Sequence, residues 1–430
     1  MTLQSAIGDQ HPLRLLWHRG RAIVAAVRAG LPARKLTIVG ITGTDGKTTT
    51  VGMVTHILNQ LDVPAGSLST ASFSVKGKTE PNPTQKTSPS PVLIQRFLKR
   101  LVDEGCTHAV LEYSSHGLTQ GRTLCTWPTV GAITNLSPEH LDYHGTMAAY
   151  TEAKSKLFRM LTAGGVKVLN REDQTWAIYR TIPTARTVTF GLDKPATPSG
   201  GEDLWVEGLT ATIGGSEATV VSSTGWRAPL HLPVAGDFNV KNALTAVGCA
   251  IGLGLDPQTA IRALGSFGGV QGRLEQIDEG QAFSVFVDFT VTPASYRTAL
   301  SSLRARLPAG KRLIVVMGSC GDRMKEKRPE IGRIASELAD VVIVTNEDPY
   351  GEDPKAIIDE VFAAVDKQKV EAHRISDRGE AIAQALTLAA PGDIVLLAGK
   401  GSDTTMWTAQ GQVPWNEREI AREMLKELET

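Results

Sequence analysis

The chain of 430 residues is 41% hydrophobic and 21% charged, a balance typical of a globular protein with two or three domains. Lysine plus arginine and aspartate plus glutamate each total 45, so the net charge provides no general attraction to nucleic acid. The four cysteines are widely separated and form no CxxC pair, which argues against a disulfide framework and a zinc site. We therefore expect a protein of the reducing cytoplasm with no nucleic-acid partner, in which any binding of phosphate is local.

Residues 1–35 predict a short helical segment ahead of the first domain. The segment has no apolar run long enough for a signal peptide or a membrane-spanning helix. Its apolar residues alternate with arginines at amphipathic spacing and are Leu13, Leu15, Leu16, Ile23, Val24 and Val27. We expect this helix to pack on the body of the protein; the alternative is a weak contact with a membrane surface.

The remaining chain predicts an α/β protein with two domains. Apolar strands and helices alternate from residue 36 to about 160, which predicts a central domain at 36–271 with a mainly parallel sheet. Short β-prone runs from about 185 to 235 predict antiparallel hairpins at the edge of this domain. A second series, "AFSVFVDFT", "KRLIVVMGS", "DVVIVTNED" and "DIVLLAGKG", predicts a Rossmann-like domain at 272–430.

The stretch "GITGTDGKTTT", residues 40–50, lies between a predicted strand and a predicted helix. Ile41 occupies the position of the first glycine of the standard phosphate-loop pattern, so this loop is a tighter variant. Backbone N–H groups at a helix start attract phosphate, Lys47 can neutralise phosphate oxygens, and the Thr48 hydroxyl can ligate Mg²⁺. A glycine-rich turn with a chance lysine is the structural alternative. The predicted nucleotide-binding residues are Gly43, Thr44, Asp45, Gly46, Lys47, Thr48 and Thr49.

Two later strands end in polar residues. Glu112 ends "VLE", and His140 follows the next strand in "TNLSPEHLDYHGT". Because the carboxyl ends of parallel strands meet at one edge of a sheet, both side chains are candidates to complete a magnesium site near the loop. A helix cap or an internal hydrogen bond would explain either residue alone. A zinc hydrolase is disfavoured because the chain has no HExxH motif.

At this point the sequence resembles the Mur ligase family, and within it the MurE type. The matching stretches occur in the family's order and are "GITGTDGKTTT", "LEYSSHGLTQGR", "TNLSPEHLDYHGTMAAYTEAKSKLF", "GDFNVKNALTA", "GRLEQI", "CGDRMKEKRP" and "VPWNEREIARE". The resemblance implies an ATP- and Mg²⁺-dependent ligase of peptidoglycan precursor synthesis. Such an enzyme adds an amino acid to a UDP-N-acetylmuramoyl-L-Ala-D-Glu-type acceptor through an acyl phosphate. It also implies a site in a cleft between the domains, which closes around the substrates.

The resemblance implies roles for particular residues. In the family pattern Lys154 becomes a carbamate, which turns a cation into an anion beside magnesium. The implied catalytic residues are Lys47, Glu112, His140 and Lys154, and the implied metal ligands are Thr48, Glu112, His140 and Lys154. The implied contacts to the rest of the nucleotide are Asn242, near the adenine, with Arg273 and Asp288. The implied contacts to the acidic peptide acceptor are Thr87, Ser88, Ser114 and Arg122.

Three replacements distinguish this chain from the family pattern. Val291 stands where a histidine is usual, and Tyr350 ends "EDPY" where diaminopimelate-adding enzymes have Asp-Asn-Pro-Arg. Asp403 stands where glutamate is common. We expect Asp348, Tyr350 and Asp403 to contact the incoming amino acid, with lysine, ornithine or another amine open and diaminopimelate less favoured.

The front of the chain also differs from the family pattern. About 35 residues precede the first predicted strand, which is too few for the uridine-binding domain that the family usually has. We therefore expect a shortened N-terminal uridine-binding region, and the acceptor can carry UDP or a lipid. Two alternatives remain: a related ligase acting on a folate or poly-γ-glutamate carboxylate, and a non-catalytic ATP-binding regulator.

Overall fold

The structure is a computed structural model and describes residues 11–428. The chain forms two compact units. The first contains the residues up to Thr210 together with Glu217–Leu232 and Asn239–Phe267. The second contains Ala211–Ser216, Pro233–Phe238 and the residues from Gly268 onward.

The first unit, here called the central unit, is built on one large sheet flanked by helices. Its strands are β1 Thr37–Thr42, β2 Ala65–Leu68, β3 Ser72–Val75, β4 Lys78–Pro81, β5 His108–Glu112, β6 Val130–Ile133, β7 Val166–Asn170, β8 Arg186–Phe190, β9 Glu202–Ala211, β10 Ser216–Ser222 and β11 Arg227–Leu232. Its helices are α1 Pro12–Arg28, α2 Lys47–Gln60, α3 Pro91–Asp103, α4 Ser115–Gln120, α5 Leu141–His144, α6 Met147–Arg159, α7 Trp176–Tyr179, α8 Phe238–Gly252 and α9 Pro257–Leu264.

The sheet of the central unit has the strand order β11-β10-β9-β8-β7-β6-β1-β5-β2-β3-β4. Strands β2, β5, β1, β6, β7, β8 and β9 pair in parallel. Strand β1 is buried along almost its whole length, as expected for a parallel strand covered on both faces. Its carboxyl end lies between the ends of β5 and β6, since Ile41 pairs with Glu112 and Thr42 with Ile133.

Two parts of this sheet differ from the sequence prediction. Strand β8 pairs in parallel with β9, so the predicted antiparallel hairpin is wrong there. The physical reason is the length of the connection, residues 191–201. A connection of this length lets the next strand run parallel to β8, whereas a tight turn would make the two strands antiparallel. The sequence analysis also missed the antiparallel pair β3–β4. Its turn at Lys76-Gly77 has positive φ at both residues, which is the geometry of a tight hairpin.

Helix α1 packs on α3 and α4, but through a different face from the one predicted. Its buried residues are the small Ala22, Ala25 and Ala26, which allow close approach to α3. The larger apolar residues on which the prediction rested are exposed to solvent, apart from the half-buried Leu15. The helix therefore packs on the body as expected, but through its alanines and not through its large apolar side chains.

The second unit, here called the C-terminal unit, is a Rossmann-like layer structure. Its sheet has the order β12-β13-β17-β14-β15-β16, in which β12–β13 is antiparallel and the other pairs are parallel. The strands are β12 Glu275–Ile277, β13 Ser284–Asp288, β14 Leu313–Met317, β15 Val341–Val344, β16 Glu371–Arg374 and β17 Ile394–Ala398, with a hairpin of β18 Thr405–Thr408 and β19 Gly411–Pro414. The helices are α10 Pro293–Arg304, α11 Lys327–Leu338, α12 Pro354–Ala363, α13 Arg378–Leu388 and α14 Glu417–Leu428.

Apolar clusters cover both faces of the second sheet, because the strands alternate their side chains between two helical layers. Together with the first sheet, this confirms the predicted α/β class with a large, mainly parallel sheet and a second C-terminal sheet. No helix within residues 11–428 is long and apolar enough to cross a bilayer.

A buried ion pair between α13 and α14 yields a stability prediction. The Arg378 guanidinium contacts both Glu417 carboxylate oxygens, at 2.5 and 2.7 Å, and neither side chain reaches solvent. We expect Arg378→Ala to lower the free energy of unfolding by about 3–5 kcal/mol, because it leaves a buried carboxylate without a cation. Urea unfolding of the full chain measures this change.

The matched control is Arg297→Ala, which breaks an exposed pair with Glu337 at 3.0 Å. We expect this change to cost at most about 1 kcal/mol, because water screens exposed charges. Equal losses for the two variants would contradict the assignment of the Arg378 pair as a buried charge pair.

Candidate active site

The predicted phosphate loop lies between the end of β1 and the start of α2. Gly43 has φ 146° and Gly46 has φ 80°, values that favour glycine. A Cβ atom on Gly43 would overlap Thr134 Oγ1, and one on Gly46 would overlap the side-chain amide of Asn242. Both glycines are therefore needed for backbone conformation and for close packing, and the loop presents the first N–H groups of α2 as an anion site.

The end of β6 holds this loop in place. The Thr44 N–H donates to the Asn135 carbonyl at 2.9 Å, and the Asp45 N–H donates to Asn135 Oδ1 at 3.0 Å. Thr134 Oγ1 donates to the Asp45 carbonyl at 2.6 Å. The sequence analysis missed Thr134 and Asn135, although the polar pair directly after a buried strand next to β1 was a usable signal.

Two lysines converge on the carbonyl groups of the loop. Lys47 Nζ donates to the Thr44 carbonyl and Lys154 Nζ, from α6, donates to the Gly43 carbonyl, both at 2.5 Å. Lys154 is 1% exposed. Burial, followed by the nearby Lys47 charge, lowers the pKa of Lys154 well below its ordinary value. The structure thus places Lys154 beside the loop rather than on an exposed helix face.

Glu112, at the end of β5, is a buried carboxylate that faces the loop. It is 2% exposed. Oε2 accepts from Thr48 Oγ1 at 3.0 Å and from the Thr70 N–H at 2.7 Å, and Oε1 accepts from Thr70 Oγ1 at 3.0 Å. The groups that donate to the Glu112 carboxylate within residues 11–428 are two hydroxyls and a backbone N–H, all of them neutral. A buried anion held only by neutral groups is suited to bind a cation, and Thr48 and Glu112 both supply the oxygen donors that Mg²⁺ prefers.

His140 belongs to a cluster of aromatic and histidine rings beside the two lysines. Its ring centroid lies 4.7 Å from that of His116 and 6.3 Å from that of Tyr150. Burial, followed by Lys154 and Lys47, lowers the pKa of His140 to about 3, so the imidazole is neutral at physiological pH. Burial likewise lowers the pKa of His116 and of His144 to about 4.

Only some of the predicted metal ligands contact one another in the structure. Thr48 donates a hydrogen bond to Glu112. His140 lies close enough to Lys154 and Lys47 for their charges to lower its pKa. Among the residues that the structure describes, no three His, Cys, Asp or Glu side chains form a metal-binding cluster by themselves. The role of His140 as a ligand therefore stays a prediction.

The residues predicted to contact the acceptor lie together beside Glu112. Ser88 Oγ donates to the Glu112 carbonyl at 3.3 Å and accepts from the Ser114 N–H at 2.9 Å. Arg122 Nη1 donates to the Ser88 carbonyl at 2.7 Å. Thr87 Oγ1 lies 2.9 Å from Thr70 Oγ1, within hydrogen-bond distance, so Thr87 joins the same network. Thr70 was missed by the sequence analysis; its signal is the polar run "STAS" directly after β2.

Asn242, on α8, packs against the phosphate loop. Thr50 Oγ1 donates to Asn242 Oδ1 at 3.4 Å, and Asn242 Nδ2 donates to Asn239 Oδ1 at 2.8 Å. The side chain is buried where Gly46 leaves room for it. The structure therefore shows that the Asn242 side chain contacts the start of α2. Its contact with the adenine stays a prediction.

In the C-terminal unit, Asp288 joins the segment after Gly272 to the end of β13. Its carboxylate accepts from the Leu274 N–H at 2.6 Å and from the Thr290 hydroxyl. The Arg273 guanidinium carbon lies 4.5 Å from the centre of the Phe289 ring. The structure therefore brings the predicted nucleotide contacts Arg273 and Asp288 to the same strand end.

Asp348 and Asp403 flank a buried lysine that the sequence analysis missed. Lys400 Nζ lies 2.8 Å from both oxygens of Asp348 and 3.0 Å from Asp403 Oδ2. Although burial lowers the pKa of Lys400, Asp403 and Asp348 together raise it, so the ammonium stays charged. Burial raises the pKa of Asp403. The Tyr350 ring stacks on Trp407 with centroids 5.6 Å apart.

Unpartnered buried oxygens mark the same edge of the second sheet. Ser319 Oγ follows β14, and Thr345 Oγ1 and Glu347 Oε2 follow β15. None of the three has a hydrogen-bond partner within residues 11–428. Since buried polar atoms are nearly always paired, these oxygens are available to bond to water or to a polar ligand at the carboxyl edge of this sheet.

The chain is similar to two sequence families and to individual proteins of known name. The family model described as the Mur ligase middle domain matches residues 41–250, and the Mur ligase, glutamate ligase domain matches residues 272–401. A relative from Chlorobaculum tepidum, named UDP-N-acetylmuramoyl-L-alanyl-D-glutamate–2,6-diaminopimelate ligase, is 39% identical over 87% of this chain and 73% of its own length. A relative of the same name from Geobacillus kaustophilus is 35% identical over 95% of this chain and 83% of its own length.

Solved structures of related proteins are also similar to this chain. A structure of a UDP-N-acetylmuramoyl-L-alanyl-D-glutamate–2,6-diaminopimelate ligase matches with a TM-score of 0.64 at 28% identity, covering 92% of this chain and 79% of that one. Folylpolyglutamate synthase from Mycobacterium tuberculosis matches with a TM-score of 0.73 at 19% identity, over 88% and 92% of the two chains, which shows a shared fold alone. The two family matches together span more than half of the chain, and its relatives are of the MurE type. The chain therefore belongs to the Mur ligase family of ATP-dependent ligases.

Proposed function

We propose that this chain uses ATP to join an amino acid to a UDP-N-acetylmuramoyl-L-Ala-D-Glu-type acceptor, as a cytoplasmic step of peptidoglycan precursor synthesis. The relatives named for the 2,6-diaminopimelate reaction support the acceptor class. The observation that carries the proposal is the meeting of the Thr48 hydroxyl, the Glu112 carboxylate and the Lys154 amine at a phosphate loop. These groups match what phosphoryl transfer to a carboxylate requires.

The chemistry has two steps. A carboxylate oxygen of the acceptor attacks the γ-phosphorus of ATP, the bond to the bridging oxygen breaks, and ADP leaves with an acyl phosphate formed. The amine nitrogen of the amino acid then attacks the acyl carbon, phosphate leaves, and the nitrogen loses a proton as the amide forms. Activation is needed because a carboxylate is a poor electrophile and oxide is a poor leaving group.

The loop and its neighbours stabilise the charge of the phosphates. The N–H groups at the start of α2 and the Lys47 ammonium bind the terminal phosphates, where negative charge moves during transfer. Mg²⁺ supplies further neutralisation of the phosphate oxygens when it is bound. Thr48 and Glu112 fit such an ion because Glu112 is a buried anion with only neutral partners within the described chain. His140 is the third proposed ligand, since its imidazole is neutral.

Lys154 is proposed to carry a carbamate. The neutral amine attacks the carbon of CO₂ and loses one proton, and the product is an anion in place of a cation. Its position beside Gly43 and its complete burial support the proposal, because an uncompensated ammonium is costly there. The family resemblance supports the same assignment.

The two substrates that react with each other are proposed to bind through opposite charges. Arg122, with Thr87, Ser88 and Ser114, is proposed to hold the acidic peptide, since a guanidinium can bind a carboxylate through two hydrogen bonds. Asp348 and Asp403 are proposed to hold the amino acid, with Tyr350 against its side chain. Because Tyr350 carries no charge where the family loop ends in arginine, we propose an amino acid without a second carboxylate, such as lysine or ornithine.

The decisive test is phosphate release from ATP and Mg²⁺ in the presence of UDP-N-acetylmuramoyl-L-Ala-D-Glu and a panel of meso-diaminopimelate, lysine and ornithine. We expect release to require both the acceptor and one amino acid, with lysine or ornithine ahead of diaminopimelate. Lys47→Ala is the blank, because it removes the cation at the phosphates.

Other outcomes identify the alternatives. Release stimulated by a folate or poly-γ-glutamate acceptor, but not by the muramoyl acceptor, would assign the chain to a related ligase. ATP binding without turnover across the whole panel would support a non-catalytic regulator. Strongest stimulation by diaminopimelate would contradict the part of the proposal that rests on Tyr350.

A second prediction concerns the glycine that faces Asn242. Gly46→Ala is expected to weaken ATP binding by about tenfold or more, because a Cβ atom would displace the Asn242 amide and strain a residue with φ 80°. Isothermal titration with ATP measures the effect. Gly77→Ala is the matched control, since Gly77 also has φ 80° but has open space around its Cβ position. If both variants bind ATP like the unaltered protein, Asn242 does not support the loop.

A third prediction concerns Lys154. Protein incubated with ¹³C-labelled bicarbonate is expected to show a carbamate carbon resonance that disappears in Lys154→Arg. Lys156→Arg, on the same helix, is the control and should keep the resonance. A spectrum without any carbamate signal would remove this modification from the proposal while leaving the ligase reaction intact.

A further inference from the structure

The outward face of α1 carries a cluster of exposed apolar side chains. We define the α1 stripe as the side chains of Leu13, Leu16, Trp17, Ile23, Val24 and Val27, which are 48–66% exposed. Helical periodicity places them on the side opposite the buried alanines of the same helix. Of the nine large hydrophobic side chains that are exposed within residues 11–428, these are six. Such clustering differs from the scattered exposed hydrophobics of an ordinary surface.

A row of positive charge lies beside the α1 stripe. Helix α1 contains Arg14, Arg19, Arg21 and Arg28 and no acidic residue, although the whole chain has a net charge of zero. Arg14, Arg21 and Arg28 are seven residues apart, so they follow one flank of the helix. The Arg21 guanidinium carbon lies 4.5 Å from the centre of the Trp17 ring, so charge and apolar surface adjoin.

We propose that α1 docks this protein on an anionic membrane surface. The α1 stripe enters the boundary between headgroups and acyl chains, and the flanking arginines bind lipid phosphates. Trp17 suits this depth, because its ring is amphipathic and prefers the interface. A second copy of the chain is a poorer occupant of the stripe, since two such helices would bring two rows of arginine together.

The docking helix lies next to the segment proposed to hold the acceptor. Helix α1 packs on α4, which begins directly after Ser114. The Arg19 side chain fills the space over Gly121, where a Cβ atom would lie 2.8 Å from Arg19 Cγ, and Arg122 follows. Because α1 packs directly on α4, docking of α1 would hold Ser114 and Arg122 roughly one helix-packing distance, ~10 Å, from the membrane-bound helix. The docking proposal does not depend on which ligase reaction the protein performs.

Vesicle flotation of the full chain tests the proposal. Vesicles of phosphatidylglycerol with phosphatidylcholine are compared with vesicles of phosphatidylcholine alone. We expect binding to the anionic vesicles only, weakened by salt. Leu16→Glu with Val24→Glu is expected to reduce binding at least about tenfold, and Arg21→Gln with Arg28→Gln by about tenfold. Ile178→Glu, which alters an exposed apolar residue elsewhere in the central unit, should bind like the unaltered protein.

Three results would overturn the proposal. The first is no binding to anionic vesicles by the unaltered protein. The second is binding that survives the two glutamate substitutions, which would reduce the interaction to unspecific charge attraction. The third is concentration-dependent self-association in sedimentation that the same substitutions abolish, which would assign the stripe to a second copy. ATP binding and the urea unfolding midpoint of each variant serve as folding controls and report separately from the ligase assay.

Discussion

The pairing of β1 with β5 on one side and β6 on the other is the constraint on which the central site depends. This register brings three strand ends to one edge, so that the loop after β1 meets Glu112 from β5 and Thr134 with Asn135 from β6. Backbone hydrogen bonds join β1 to both neighbours, and side-chain hydrogen bonds from the end of β6 join the loop itself. The loop is therefore held by its neighbours before any nucleotide binds.

Electrostatic compensation is the second principle of the site. Lys47 and Lys154 point at carbonyl groups of the loop, whereas Glu112 is surrounded by hydroxyl and amide donors. An unpaired charge is costly at the buried Lys154, which explains the depressed pKa of its amine, and partial burial together with Lys154 and Lys47 lowers the pKa of His140. In the proposed reaction, a triphosphate supplies the charge opposite to that of Lys47, and a divalent cation supplies the charge opposite to that of Glu112.

Buried charge in the C-terminal unit is neutralised in a different way. There Lys400 is neutralised within the protein by Asp348 and Asp403, and the pair of rings Tyr350 and Trp407 lies alongside. The uncompensated groups are instead neutral or acidic oxygens, at Ser319, Thr345 and Glu347. Oxygens of this kind accept hydrogen bonds from an amine. The groups available in the two units thus differ. Those of the central unit suit anions and a metal ion, and those of the C-terminal unit suit a hydrogen-bond donor such as an amine.

The sequence by itself determined the α/β class, the phosphate loop and the family, because strand–loop–helix patterns and motif order are local properties of the chain. It also indicated Glu112 and Lys47, which stand next to recognisable strands and turns. Only the tertiary structure decided that Thr134 and Asn135 support the loop and that Thr70 bonds to Glu112, since these partners are distant in sequence. The same holds for the contact of Lys400 with Asp348, which formed when the ends of β15 and β17 came to one sheet edge, whereas Asp403 is only three residues from Lys400 in the chain. For α1, the amphipathic pattern was visible in the sequence. Which face is buried was decided by packing on α3, because the small alanine side chains allow the two helices to approach closely.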